Sequence, residues 1–406
     1  MPKYQPSQHT FEKYANVLVN FALNSGNGIK KGEVVRISAS ESAKPLFIEL
    51  RKAVLKAGGH FISQYLPDDE KSLNPSRDFF ELASDEQLKF YPKAYVQGLV
   101  KQIDHSIAII SEVNKQALKG IDPAKIMTAQ LAQKPWRELL DIKENQGKFT
   151  WTLALYATPQ MAKEAGLSLE DYWEQIIKGC YLNQKDPIKA WQQTFAQSEI
   201  IIKKLNQLPI DTLHVKGSDV DLLISLGEKR QWAGGSGRNI PSFEIFTSPD
   251  WRDTHGWIKF NQPLYRYGNL IKGVELEFAK GKVVKAKASQ NEKVLLEMIK
   301  TPNADKIGEF SLTDKRFSKI TKFMAETLFD ENVGGPQGNT HIALGKSYHD
   351  CYAGDPGKVT KAQWKSLGFN DSAVHTDIVS TTKRTVTAVL KNCSKKIIYD
   401  NGEFVI

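Results

Sequence analysis

The sequence predicts an α/β N-terminal domain followed by a strand-rich α+β C-terminal domain. Two changes of texture carry this. Up to about residue 185, short apolar strands alternate with amphipathic helical stretches, the order that builds parallel βαβ units with right-handed crossovers. Beyond a helical pattern over 187–208, strand-like runs follow one another, punctuated by turns such as Lys280-Gly281-Lys282 and Asp400-Asn401-Gly402. At roughly 150 residues per domain, a chain of 406 residues accommodates two or three. The division is expected at 1–185 and 186–406.

The elements follow in order. Phe11, Tyr14, Ala15, Leu18, Val19 and Ala22 recur at helical spacing, so 11–24 reads as an amphipathic helix. Val34-Val35-Arg36-Ile37 is a short β-rich run. Pro45 opens a helix that reaches Lys56, and Gly58-Gly59 ends it because glycine takes the left-handed cap freely. Phe61-Ile62, 106–110 and Thr150 to Tyr156 are further strands, with a helix over 123–140. Pro187 opens a long helix at its first position. The expected later strands are 212–216, 220–226, 242–247, 255–260, 273–278, 282–288, 340–344, 384–389 and 396–399, with one helix over 314–329.

Composition excludes several classes. With 41% hydrophobic and 25% charged residues the chain is globular, not disordered or fibrous. Its net charge of +9 is dispersed over pairs such as Lys30-Lys31 and Lys395-Lys396, with no run and no aromatic ladder, so nucleic acid is not an expected partner. No apolar stretch approaches the length of a membrane span, so no membrane partner is expected. The start MPKYQPSQHTFEKYANVL has no basic segment leading into an apolar one, unlike a signal peptide. Cys180, Cys351 and Cys393 are too few and too scattered for a disulfide framework and fit a reducing, cytoplasmic compartment.

The chemistry-bearing residues gather late in the chain. Gly234-Gly235-Ser236-Gly237 runs into Ile240-Pro241 and a strand instead of a helix, so it reads as a mobile turn beside a site, not a phosphate cradle. His341, His349 and His375 fall near acids. In His375-Thr376-Asp377 the strand period of two points both polar side chains to one face, within reach of one ion. Glu244 in Phe-Glu-Ile-Phe and Glu309 in Ile-Gly-Glu-Phe sit inside apolar runs, where a carboxylate needs a partner. Glu331 is a further candidate. Carboxylates with two imidazoles suit Zn, Co, Mn or Fe at a hydrolytic centre, and an excess of carboxylates suits a pair of ions. Cys351 reads as a small apolar filler. Without GxSxG, serine catalysis has no support.

Four ordered blocks resemble a known family. Gly237 to Pro249 (GRNIPSFEIFTSP), Ile307 to Leu312 (IGEFSL), Asp330-Glu331-Asn332 with Thr340 to Gly345 (THIALG) and Tyr348, and His375-Thr376-Asp377 are similar to the aminopeptidase T, aminopeptidase S and PepS family of metallopeptidases. The resemblance implies a cytoplasmic metal-dependent aminopeptidase acting on peptides, a homodimer with an N-terminal α/β domain and a C-terminal catalytic domain. It implies metal ligands at Glu244, Glu309, Glu331, His341, His375 and Asp377, an active-site tyrosine at Tyr348, and two divalent ions per chain (Zn, Co, Mn or Mg). Glu309 is expected to bridge them and to be catalytic with Tyr348. His349 reads as a cleft-lining or surface residue, and Arg238 and Asn239 as substrate-orienting or turn-stabilising. The competing readings are a metal-dependent phosphoesterase and a non-catalytic peptide-binding module.

Overall fold

The computed structural model describes residues 4–406. Four parallel strands form the N-terminal sheet, in the spatial order His60–Leu66, Val34–Ser40, His105–Ile110, Thr150–Leu155. Val35 and Ile37 are buried against helices, as the βαβ reading requires. The helix expected over 11–24 is regular only from Gln8 to Val17. It then widens into a π turn over Leu18–Ala22 and tightens at Leu23–Gly26, where Asn24 and Ser25 both have φ of 51°. The helix expected over 123–140 is two helices, Pro123–Ala132 and Lys134–Asn145. Pro135 separates them, because it cannot donate to the preceding turn and its ring clashes there.

The long helix Pro187–Gln207 leads into two antiparallel sheets. The larger has eight strands, ordered Lys282–Lys287, Glu275–Ala279, His255–Lys259, Val220–Ser225, Ile210–Gly217, Arg384–Leu390, Lys395–Asp400 and Glu403–Phe404. The smaller has five, ordered His375–Ser380, Asn339–Gly345, Ile307–Thr313, Glu244–Thr247 and Ala233–Gly234. The mixed α/β layer and the strand-rich half are those the sequence predicts.

One expected element is absent. Residues 314–326 are turns and bends, and the only helix in the expected 314–329 stretch is Thr327–Asp330. Side chains capture the backbone donors that a helix would use internally. Asp314 accepts from the Arg316 amide, Gln175 from Thr321 and Lys322, and Asp330 from Met324 and Glu326. The apolar residues Ile320, Met324, Leu328 and Phe329 meanwhile join the N-terminal core beside Trp173 and Trp191. Tertiary partners thus outweigh helical periodicity.

The N-terminal sheet also reaches the smaller sheet. The Leu153 amide donates to the Arg238 carbonyl (2.8 Å) and the Ile240 amide to the Leu153 carbonyl (3.0 Å). The segment that enters the Glu244 strand is therefore stitched to the edge of the parallel sheet. Gly237, at φ +77°, makes this approach possible, since a Cβ there would lie 2.2 Å from the Ala22 carbonyl oxygen. The expected mobile glycine turn is in fact this close-packed crossing, and Ser236 within it lines a cleft.

Candidate metal centre

Strand register aligns the predicted residues on one face of the smaller sheet. Asp377 pairs with Ala343, which pairs with Glu309; Gly345 pairs with His375; Ser311 pairs with His341 and Phe246; Thr313 pairs with Glu244. Counting by twos along each strand puts His375, Asp377, His341, Glu309 and Glu244 on the same side. The small Ala343 and Gly345 leave room between the outer and central strands.

Glu331 arrives from outside the sheet, at the end of Thr327–Asp330. Two buried side chains hold its backbone: Thr313 Oγ1 donates to the Glu331 carbonyl at 3.1 Å, and Asn339 Nδ2 donates to it at 2.5 Å. Asn332 accepts from the Phe243 amide and donates to the Leu328 carbonyl, tying the same loop to the Glu244 strand. Asn239 Nδ2 then donates to Glu331 Oε1 at 3.1 Å.

All six predicted ligands meet in one cleft. His341 Nε2 lies 3.0 Å from Glu309 Oε1, 3.2 Å from Glu244 Oε2 and 3.9 Å from Asp377 Oδ1. His375 Nε2 lies 3.3 Å from Asp377 Oδ1 and 3.8 Å from Glu309 Oε2. Two sets of donor atoms lie within 4.8 Å of one another, Glu244-Glu309-His341 and Glu331-His341-Asp377. His375 Nδ1–H donates to the Lys346 carbonyl (2.8 Å), which fixes the ring and leaves Nε2 facing the acids. Ser311 Oγ donates to Glu244 Oε2 at 3.2 Å.

The electrostatics are those of crowded, buried carboxylates and imidazoles. Burial and then the charges of Asp377 and Glu244 lift Glu331 well above the ordinary carboxyl range. Burial lifts Glu309 to about 7, with Glu244 adding to it against the hydrogen bond and charge of the histidines. Burial would lower His341, but its bonds to Glu244 and Glu309 raise it well above the usual imidazole value. Burial would raise Asp377, yet His375 and His341 hold it below its usual range. Four carboxylates and two imidazoles so packed repel in part and are under-bonded in part; His341 Nδ1 is buried without a partner among the described residues. Divalent cations match this donor set.

The remaining predicted residues sort around the cleft. The Tyr348 ring is 4.7 Å from the His375 ring, and its amide donates to Ser248 Oγ. Burial, then the Glu309 and Asp377 charges, keep its hydroxyl protonated far above neutrality. Arg238 is tied to Glu144 (2.9 Å) and Asp350 (2.7 Å), bridging the helix Lys134–Asn145 to the Tyr348 loop. His349 is stacked on Trp364 and hydrogen-bonded to Asn145, so it is neither loose nor at the surface. Cys351 is a buried filler among Phe246, Tyr352 and Trp364. Sequence reasoning missed Trp151, which lines the cleft from the parallel sheet, and Arg266, which donates to the His375 carbonyl. Trp151 gave no signal of its own inside an apolar strand.

An α/β layer fastened to an antiparallel sheet that gathers acids and imidazoles on one face is the frame of a metal-dependent hydrolase. The chain belongs to the thermophilic metalloprotease (M29) family, whose model matches residues 7–404. It is 26% identical over 423 residues to aminopeptidase PepS of Streptococcus thermophilus, covering 98% of each chain. It is 27% identical over 421 residues to aminopeptidase T of Thermus thermophilus, covering 98% of this chain and 99% of that one. The wild-type AmpT structure from Thermus thermophilus shares the fold, with a TM-score of 0.81 at 24% identity, over 98% of this chain and 100% of that one.

Proposed function

We propose that this metalloprotease is an aminopeptidase that removes N-terminal residues from peptides. The observation that carries the reading is the convergence of Glu244, Glu309, Glu331, His341, His375 and Asp377 on one cleft, in a chain whose full-length relatives are named aminopeptidases. These six residues would hold two divalent ions, which supply water activation and carbonyl polarisation at neutral pH. Zn, Co, Mn and Mg all suit the ligands, so the donor set does not choose among them.

The chain's own groups do the rest. Glu309 faces His341 with one oxygen and His375 with the other, so it is the carboxylate we assign a place between the two imidazoles, while His341 is the residue common to both donor sets. A carboxylate of this cluster takes the proton from the attacking water. Tyr348, kept protonated by burial, donates a hydrogen bond to the oxyanion of the tetrahedral intermediate. Asn239 holds Glu331, and the Arg238 ion pairs hold the loop that carries Tyr348.

We place the chain in the cytoplasm, on the strength of its three free cysteines. No helix is long and apolar enough to cross a membrane. We also propose a division into 1–185 and 186–406, with the catalytic groups in the second part, and a homodimer. Leu73, Leu82, Phe90 and Tyr95, large apolar side chains left exposed in or beside the helices Pro75–Leu82 and Lys93–Gln102, are the residues a partner copy would cover. An assay of aminoacyl-nitroanilides against nitrophenyl phosphate tests the activity. Chelator-sensitive release of nitroaniline with no phosphate release is expected. Phosphate release alone would establish a phosphoesterase.

A further inference from the structure

The metal cleft is the first of three neighbouring spaces that share lining residues. It shares Arg238 and Tyr348 with a small adjoining chamber. That chamber shares Asn145, Ser347 and His349 with a cavity of about 740 Å³. The His349 ring lines both spaces and is stacked on Trp364, 3.9 Å away with the planes 2° apart. Cavities of this size bury most of a small ligand.

The far cavity has an apolar floor and a cationic rim. Trp364 and Phe369 form part of the floor. Lys282, Lys306 and Lys365 stand on the rim. Lys306 Nζ lies 3.9 Å from the centre of the Trp251 ring and donates to Asn303 Oδ1 at 2.6 Å. None of these three lysines forms an ion pair with a carboxylate among the described residues, whereas Lys346 and Lys361 on the same cavity are paired with Asp141 and Glu138. Burial, then the Lys282 and Lys365 charges, hold Lys306 below the ordinary lysine value, against a nearby Asp305. The carboxylates on the same cavity, Glu138, Asp141 and Asp371, are already paired with Lys134, Lys346 or Lys361, so the three unpaired lysines leave an excess of positive charge beside an apolar floor, complementary to an anion carried on an organic body.

We propose that this cavity receives the downstream part of the peptide substrate, and that Lys282, Lys306 and Lys365 bind a carboxylate on it. The inference rests on reading the metal cleft as an aminopeptidase site. The residue to be removed then lies at the metal ligands, and the rest of the peptide passes Arg238 and Tyr348 into the cavity. The carboxylate is either the peptide's C-terminus or an acidic side chain.

Steady-state kinetics on the metal-loaded full chain test this. Wild type is first assayed on leucine-nitroanilide, which has no downstream residues. Wild type and a Lys306→Gln, Lys365→Gln double variant are then given peptides of increasing length, each as free acid and as amide, and amidated peptides with glutamate at successive downstream positions. At one length the free acid is expected to have a KM about fivefold lower than its amide in the wild type, the scale of a solvated ion pair. The double variant, still cleaving the amide, is expected to bring that ratio close to one. Rescue of an amide by an internal glutamate identifies the side chain as the source; its absence identifies the C-terminus. Leucine-nitroanilide turnover with no preference for any anionic peptide, or with a preference the double variant keeps, overturns the subsite alone. No nitroanilide turnover overturns both the subsite and the aminopeptidase reading.

Discussion

Glu309 carries the heaviest demand of any single residue. It is buried on the central strand, between both histidines, and its shape is kept by glutamine. Glu309→Gln is expected to lower kcat by more than about a hundredfold, while the melting temperature of the metal-free protein stays the same or rises, because one repelling charge is gone. Full activity in a folded Glu309→Gln protein would remove Glu309 from the assignment. Tyr348→Phe is expected to reduce kcat by about 10²–10³ with little change in KM, the cost of one oxyanion donor. A proportional rise in KM would instead show a ground-state contact. His349 gives a separate test through pH. Burial holds it at about 4, against an ordinary value of 6.5. Between those values the unfolded chain takes up the extra proton, so stability present above about 6.5 is lost as pH falls toward 4. His349→Phe should therefore show a smaller drop in melting temperature from neutral to acid pH than the wild type; equal drops would contradict the neutral, stacked ring.

Among the elements, the five-stranded sheet sets the site, and its legibility in the sequence was uneven. His375-Thr376-Asp377 is readable because a strand period of two needs no tertiary information. Glu244 and Glu309 stand out as acids inside apolar runs, a contrast that survives without any structure. The Ile307–Thr313 strand itself was not among the expected strands, although it is the middle of the sheet and buried throughout. Its residues do alternate, Phe310 and Leu312 against Glu309, Ser311 and Thr313, but the polar set is buried in the cleft instead of facing solvent, and Gly308 weakens the strand signal. Glu331 is the opposite case: its identity as a candidate was visible, but its support was not. The expected helix over 314–329 dissolves because Gln175, from the N-terminal layer, and Asp330 claim backbone amides within it. What holds Glu331 in place is Asn339, whose amide donates to the carbonyls of Asp330 and Glu331 at 3.2 and 2.5 Å. Asn339→Ala removes one donor from each carbonyl, leaving Thr313 Oγ1 on Glu331 and the Val333 amide on Asp330, and costs about 0.5–1.5 kcal/mol per bond lost. It is expected to lower the melting temperature and weaken metal binding together. Unchanged metal affinity in that variant would show that the loop keeps Glu331 placed without it.

On the scale of the whole molecule, the two halves are joined at the site instead of beside it. The Leu153–Arg238 backbone bonds, the Arg238–Glu144 pair and the Lys346–Asp141 pair all connect the parallel layer to the cleft. The bulk charge of +9 describes a lysine-rich surface and says little about a centre built from four carboxylates. Light scattering on the purified chain is expected to give twice the mass of one chain; a single-chain mass would contradict the proposed homodimer. The central claim is that the six donors hold divalent ions on which peptide hydrolysis depends. Its most direct test is chelation followed by metal-by-metal reconstitution, with bound metal counted by mass spectrometry and activity followed on aminoacyl-nitroanilides. Activity is expected to be lost on chelation and to return as two ions bind per chain. Full activity in the metal-free protein, or less than one ion per chain after loading, would contradict it.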